Sequence, residues 1–197
     1  MRYNYKIPDG ITGKCILKFF PPGFRLRFEK EIDAYNRFSE RQEFDYDNTP
    51  DPIPTEAFTP RPLGFASWPI AKYSKTIGRG IDSLVRAGQE QAGDSEANEI
   101  LVLMLEYVEG TPLSHLNVSV EMAVAALSAL AKIHNAGVIH GDISEGNALV
   151  HNEGGIINVV WIDFSSSWTR GARHISWEMD RAADYFAQWV WTHLVMK

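Results

Sequence analysis

From Ser119 to Ser165 the sequence permits few arrangements. VEMAVAALSALAKIH carries apolar residues three and four apart, the pattern of a helix with one face in a core. Asn135-Ala136-Gly137 supplies a stop. HGDISEGN, residues His140 to Asn147, follows as a polar loop, and ALVHNEGGIINVVWIDF then reads as strand, turn, strand. The second of those strands ends in Asp163. Folding the hairpin back therefore brings Asp163 near Asn147, and Asp142, Asn147 and Asp163 gather as an oxygen-rich group at one end of two strands.

Upstream, RYNYKI, PDGITG and KCILKFF read as strand, turn and strand. Lys18 shares a face of the second strand with Ile16 and Phe20, because strand side chains alternate. FEKEIDAYNRFSER is an amphipathic helix, with Phe28, Ile32, Tyr35 and Phe38 on its apolar side and Glu31 one turn before Tyr35. Residues 45–62 hold five prolines, which no helix crosses. A strand is expected near Leu63–Trp68, a polar insertion over about 72–99, and a buried strand, ILVLMLEYV, over 100–108. EGTPL reads as a linker. SSSWTRGARHIS is a polar connector, and WEMDRAADYFAQWVWTHLV closes the chain as a helix with Met179, Ala183, Phe186, Val190 and Leu194 on one stripe.

Composition narrows the classes. The chain has 197 residues, 45% of them apolar, enough for one domain with a substantial core. A net charge of −6 argues against nucleic acid as the main partner. The single cysteine, Cys15, excludes an internal disulfide and a Cys-rich zinc site. MRYNYKIPDG lacks the apolar core of a signal peptide, and no apolar run is long enough to span a membrane. An intracellular, cytoplasmic protein is the expectation.

Hard oxygen ligands such as those of Asp142, Asn147 and Asp163 suit Mg²⁺, which keeps coordination places for phosphate. An aspartate of this group that is not a ligand is able to accept a proton from a hydroxyl. Lys18 and Glu31 supply a cation for phosphate oxygens and a carboxylate to fix it. Taken singly these residues have ordinary readings: Lys18 as a solvated strand lysine, Glu31 as one of three acids with Glu29 and Asp33, Asp142 and Asn147 as braces of a turn.

The order of parts resembles the protein-kinase-like superfamily. ILK at 16–18 is similar to the strand-lysine motif and KEIDAY at 30–35 to the helix that carries its carboxylate partner. LMLEYVEG at 103–110 is similar to the adenine-binding strand and hinge. HGDISEGN fits His-x-Asp-x4-Asn, and IDF at 162–164 fits Asp-Phe-Gly up to its glycine. His-x-Asp-x4-Asn alone is expected by chance in roughly one chain of this length in a hundred. Five elements in the expected order carry far more weight. His-Gly-Asp is similar to the aminoglycoside and choline phosphotransferases and to compact atypical kinases.

This resemblance implies a reduced two-lobed α+β fold within a single domain. An N-lobe of small antiparallel sheet and one helix would occupy 1–108, and a short, mainly helical C-lobe 109–197. It implies an ATP- and Mg²⁺-dependent phosphotransferase acting on a hydroxyl of a protein Ser/Thr or a small molecule. Lys18 would bind the α- and β-phosphates with Glu31 as its ion-pair partner. Asp142 would act as the catalytic base, Asn147 and Asp163 would hold Mg²⁺, Glu106 and Val108 would offer backbone groups to adenine, and His140 would be structural. The chain departs from the family in showing no Gly-rich phosphate loop and only about a dozen residues between Asp163 and the last helix. Gly141 stands for the usual arginine and Ser165 for the motif glycine. A pseudokinase scaffold that binds nucleotide weakly or not at all is the alternative.

Overall fold

The computed structural model describes residues 13–45, 58–70, 99–114 and 118–169, together with 85, 86, 89, 186, 188 and 192. The chain divides into two compact units, one of residues 1–29 and 61–107, the other of residues 30–60 and 108–197. It is α+β, with antiparallel sheets and two principal helices.

In the first unit, β1 (Cys15–Phe20) and β2 (Pro62–Pro69) flank β3 (Glu99–Glu106) in a three-stranded antiparallel sheet. The aliphatic run of β3 belongs at the centre because a middle strand is covered most: Ile100, Leu101, Val102, Leu103 and Leu105 are all buried. β2 takes an edge, where Pro62 and Pro69 at its ends cost the sheet little, and its register slips between Pro62 and Gly64. Val85, Ile100 and Val102 form a core cluster joined by Phe19, Trp68 and Ile70. Helix α1 (Arg25–Asp45) begins in this unit, where Phe28 meets Phe20 and Phe65 edge-on at 5.4 and 6.0 Å. It is longer at both ends than its apolar periodicity indicates, since the first and last turns hold few apolar residues. The expected partner strand for β1 within residues 1–12 lies outside the described residues, as does most of the insertion at 72–99.

The second unit is built around α2 (Val120–Asn135) and the hairpin of β6 (Ala148–Glu153) and β7 (Ile156–Trp161). Ser119 caps α2: its hydroxyl accepts from the Met122 N–H at 3.3 Å and donates to the Glu121 carboxylate at 2.8 Å. The Ser119 hydroxyl is the main cause that holds the Glu121 carboxyl below its usual pKa. Gly137, at φ 77°, ends the helix with its N–H on the His134 carbonyl at 2.8 Å. Gly154 and Gly155, both at positive φ, make the two-residue turn that a tight hairpin demands. The Trp161 indole is wholly buried and donates to the Ala126 carbonyl of α2 at 3.1 Å, pinning hairpin to helix.

Two stretches read as connectors contain strand pairing. β4 (Thr111–Pro112) pairs with β6 through Val150 and Leu149, and β5 (Val138–Ile139) pairs with β8 (Trp168–Thr169). Two residues carry no periodicity, so neither pairing leaves a mark in sequence. Of the closing helix, Phe186, Gln188 and Thr192 are described, and Phe186 packs edge-on against Trp161 at 5.3 Å. The remainder of that helix lies outside the described residues.

Candidate active site

The loop after β5 is built inward from His140. This side chain is fully buried, with its ring 4.6 Å from that of Phe164 and 5.4 Å from that of Trp161. Its Nε2 lies 2.9 Å from the Ile162 carbonyl oxygen, and the Asp142 N–H points at its Nδ1 at 3.4 Å. A carbonyl only accepts and an amide only donates, so the two contacts fit an imidazole ring with its proton on Nε2. His140 thereby ties the strand end that carries Asp163 to the backbone of Asp142.

Gly141 makes this loop possible. It sits at φ 77°, and a Cβ there would overlap the Ser166 carbonyl oxygen and lie 2.8 Å from the carbonyl carbon. An arginine at this position is thus excluded by geometry: the His140–Asn147 loop and the turn after Asp163 touch backbone to backbone. Asp142 is exposed. Asn147 closes the loop behind it, its Nδ2 donating to both the Asp142 carbonyl and Oδ2, each at 3.0 Å. A 3-10 turn over Glu145–Asn147 leads into β6, and the ladder continues past the hairpin through Ile162 N–H to the Asn147 carbonyl at 2.9 Å. Asn147 and Ile162 are therefore opposite each other, with Asp163 next along, as hairpin logic requires.

Asp163 is the one non-glycine at positive φ among the described residues, at 64°. The left-handed conformation costs a side-chain-bearing residue of order 1 kcal/mol, less for Asp than for most. Here it comes with a local bond: Ser165 Oγ donates to Asp163 Oδ1 at 2.6 Å and Ser165 N–H reaches the same oxygen at 3.3 Å. Phe164 is buried between α1 and the loop, edge-on to Tyr35 at 5.5 Å and to Phe38 at 5.1 Å. Ser167, also buried, donates to the Lys30 carbonyl of α1 at 3.0 Å, and Lys30 Nζ lies 4.2 Å from the centre of the Trp168 ring.

Among Glu29, Glu31 and Asp33 of α1, burial singles out Glu31. It is 0% exposed, whereas Asp33 faces solvent and Glu29 is half-buried. Tyr35, one turn on, has its hydroxyl buried without a hydrogen-bond partner among the described residues. Burial, and then the Glu31 and Asp163 carboxylates, push the Tyr35 pKa well above the usual tyrosine value. Sequence periodicity marks Tyr35 only as core. Its proximity to two acids is a product of packing.

Lys18 belongs to the first unit and is half-buried on β1 opposite Leu103, with Nζ 5.3 Å from the Phe20 ring centre. Glu106 ends β3. Its N–H donates to the Arg61 carbonyl at 2.9 Å, so the backbone group it can offer is its carbonyl. Val108 is half-buried and begins the second segment of the other unit.

The donor set suits Mg²⁺. With Nδ2 engaged on Asp142, Asn147 would have its amide oxygen to offer as a neutral ligand, and Asp163, next to the Ile162 that pairs with the Asn147 backbone, would offer a carboxylate. Among the described residues no group of three or more His, Cys, Asp or Glu side chains is placed to hold a metal ion. A groove of about 430 Å³ lies between α2 and β7, lined by Val120, Val124, Lys132 and Ile156 among others. It does not include Asp142, Asn147 or Asp163.

A buried His140, an Asp142 braced by Asn147 and a hairpin ending in Asp-Phe are arranged as the protein-kinase-like resemblance leads one to expect. Residues 94–188 match the family model described as RIO domain, and RIO kinases are atypical protein kinases of the protein-kinase-like superfamily. The matched segment holds Glu106, Val108, Asp142, Asn147 and Asp163. A comparison with curated proteins gave no match. Members of this family are kinase-like, ATP-binding phosphotransferases. Among the described residues no helix is long and apolar enough to cross a membrane.

Proposed function

We propose that this chain transfers the γ-phosphate of ATP, with Mg²⁺, to a hydroxyl of a protein Ser/Thr or a small molecule. The observation that carries this reading is the double contact of Asn147 on Asp142, joined to the backbone pairing that sets Asp163 beside Asn147. One amide thus links the candidate base to the candidate metal ligands. Asp142, exposed and fixed at its backbone by His140, orients the acceptor hydroxyl and takes its proton. Asn147 and Asp163 hold the cation against the phosphates. When bound, Mg²⁺ supplies neutralisation of the charge on the transferring group. Lys18 pairs with the α- and β-phosphates, with Glu31 as its counter-charge. The Glu106 carbonyl and the Val108 backbone receive adenine.

The test is thermal unfolding with ATP and MgCl₂, together with phosphoryl transfer to protein and metabolite panels. A ligand at a hundred times its Kd stabilises by about 2.7 kcal/mol, well within reach of a melting curve. Lys18→Ala and Asp163→Ala should weaken the shift. Asp142→Asn should keep it and lose about 10²-fold or more in turnover. Absence of any shift at millimolar ATP would overturn the reading. A shift with no transfer to any acceptor would favour the scaffold.

A further inference from the structure

Ser165 occupies the position of the motif glycine, and its hydroxyl and its N–H converge on a single atom, Asp163 Oδ1, at 2.6 and 3.3 Å. An O–H bond to a carboxylate this short is charge-assisted and strong. The turn that holds these donors cannot swing away easily. Ser167 N–H closes it on the Phe164 carbonyl at 3.0 Å, the Ser167 hydroxyl anchors it to the Lys30 carbonyl, and the Ser166 carbonyl abuts Gly141. A glycine would keep the N–H and lose the stronger donor.

We propose that Ser165 is a positioning and specificity-determining residue that restricts Asp163 to one-oxygen coordination and so selects Mg²⁺ over Ca²⁺. The inference rests on the phosphotransferase reading above. Mg²⁺ demands octahedral geometry with single-oxygen contacts, whereas Ca²⁺ takes six to eight ligands and readily uses both oxygens of a carboxylate. With Oδ1 committed to Ser165, a cation meets Asp163 through Oδ2, which suits the smaller ion and denies the larger one its two-oxygen grip.

The experiment titrates MgCl₂ and CaCl₂ separately into the full chain at fixed ATP and reads the half-saturating cation concentration from the thermal shift. For Ser165→Ala the Mg²⁺-over-Ca²⁺ preference should fall about three- to tenfold, a fraction of what a hydrogen bond to a charged group is worth. Ser165→Thr, which keeps the hydroxyl, should restore the wild-type ratio. Ser165→Gly provides a second variant should alanine fold poorly, judged by the ligand-free melting temperature. A changed melting temperature with an unchanged cation ratio in both variants would overturn the inference and leave the proposed function standing. A wild-type chain that shows no ATP-dependent response to either cation would overturn the function, and this inference with it.

Discussion

The loop His140–Asn147 and the turn Ile162–Trp168 meet at the same site, yet they are held by different forces. Beyond the buried His140, the first is held by polar contacts between near neighbours: Asp142 N–H to His140 two residues back, and Asn147 to Asp142 five residues back. The second is held from afar. Phe164 is packed by Tyr35 and Phe38, and Ser167 reaches the Lys30 carbonyl across 137 residues of chain. Hydrogen bonds over short separations belong to the local sequence, while burial of an aromatic ring depends on whatever the fold brings to it. Gly141 joins the two regions, because the absence of its side chain is what allows the Ser166 carbonyl to approach.

Breaking that junction should have the largest effect. Gly141→Ala places a Cβ onto the Ser166 carbonyl at a backbone φ of 77°, and backbone cannot yield as a side-chain tip can. We expect a loss of about 3 kcal/mol or more in urea unfolding, with nucleotide response lost alongside. An unaltered midpoint would show that loop and turn are not interlocked. Phe164→Ala comes next in scale. It removes a buried ring from the group formed with His140, Tyr35 and Phe38, at a cost of about 3 kcal/mol. A cost near zero would mean that the turn is held by its serines rather than by packing.

The smallest expected change sharpens the comparison. Tyr35→Phe removes a buried hydroxyl that has no hydrogen-bond partner among the described residues, so stability near neutral pH should stay level or rise by up to about 1 kcal/mol. Its pH dependence has a definite sign. The folded-state pKa of Tyr35 is raised, so above the unfolded value of about 10 the unfolded chain releases a proton that the folded chain retains. Stability contributed by the neutral phenol is complete below that pH and falls as pH climbs toward the folded pKa. Tyr35→Phe should flatten this alkaline slope. An unchanged slope would show that Tyr35 ionises as freely folded as unfolded.

Legibility in sequence follows the same division. The helix, loop and hairpin from Ser119 to Asp163 were readable because helix periodicity, stop residues and a Gly-Gly turn are local signals, and hairpin pairing follows from them. Asn147 opposite Ile162 is the direct consequence. The pairings of Thr111–Pro112 and of Trp168–Thr169 were not readable, since two residues have no period. Gly141 could be read only as a missing arginine, because a left-handed φ and a close carbonyl are invisible without the neighbouring turn. Glu31 could not be told from Glu29 and Asp33 by spacing alone, and burial separates them.

What the amino-acid sequence determined by itself was the order of chemistry-bearing groups, Lys18, Glu31, Asp142, Asn147 and Asp163, on their strands, helix and loop. That order depends on local propensity and turn chemistry, which act over a few residues. The tertiary structure alone decided which of Glu29, Glu31 and Asp33 is withdrawn from water and why position 141 must be glycine. Those outcomes turn on excluded volume and desolvation between segments distant in the chain, and no local pattern encodes them.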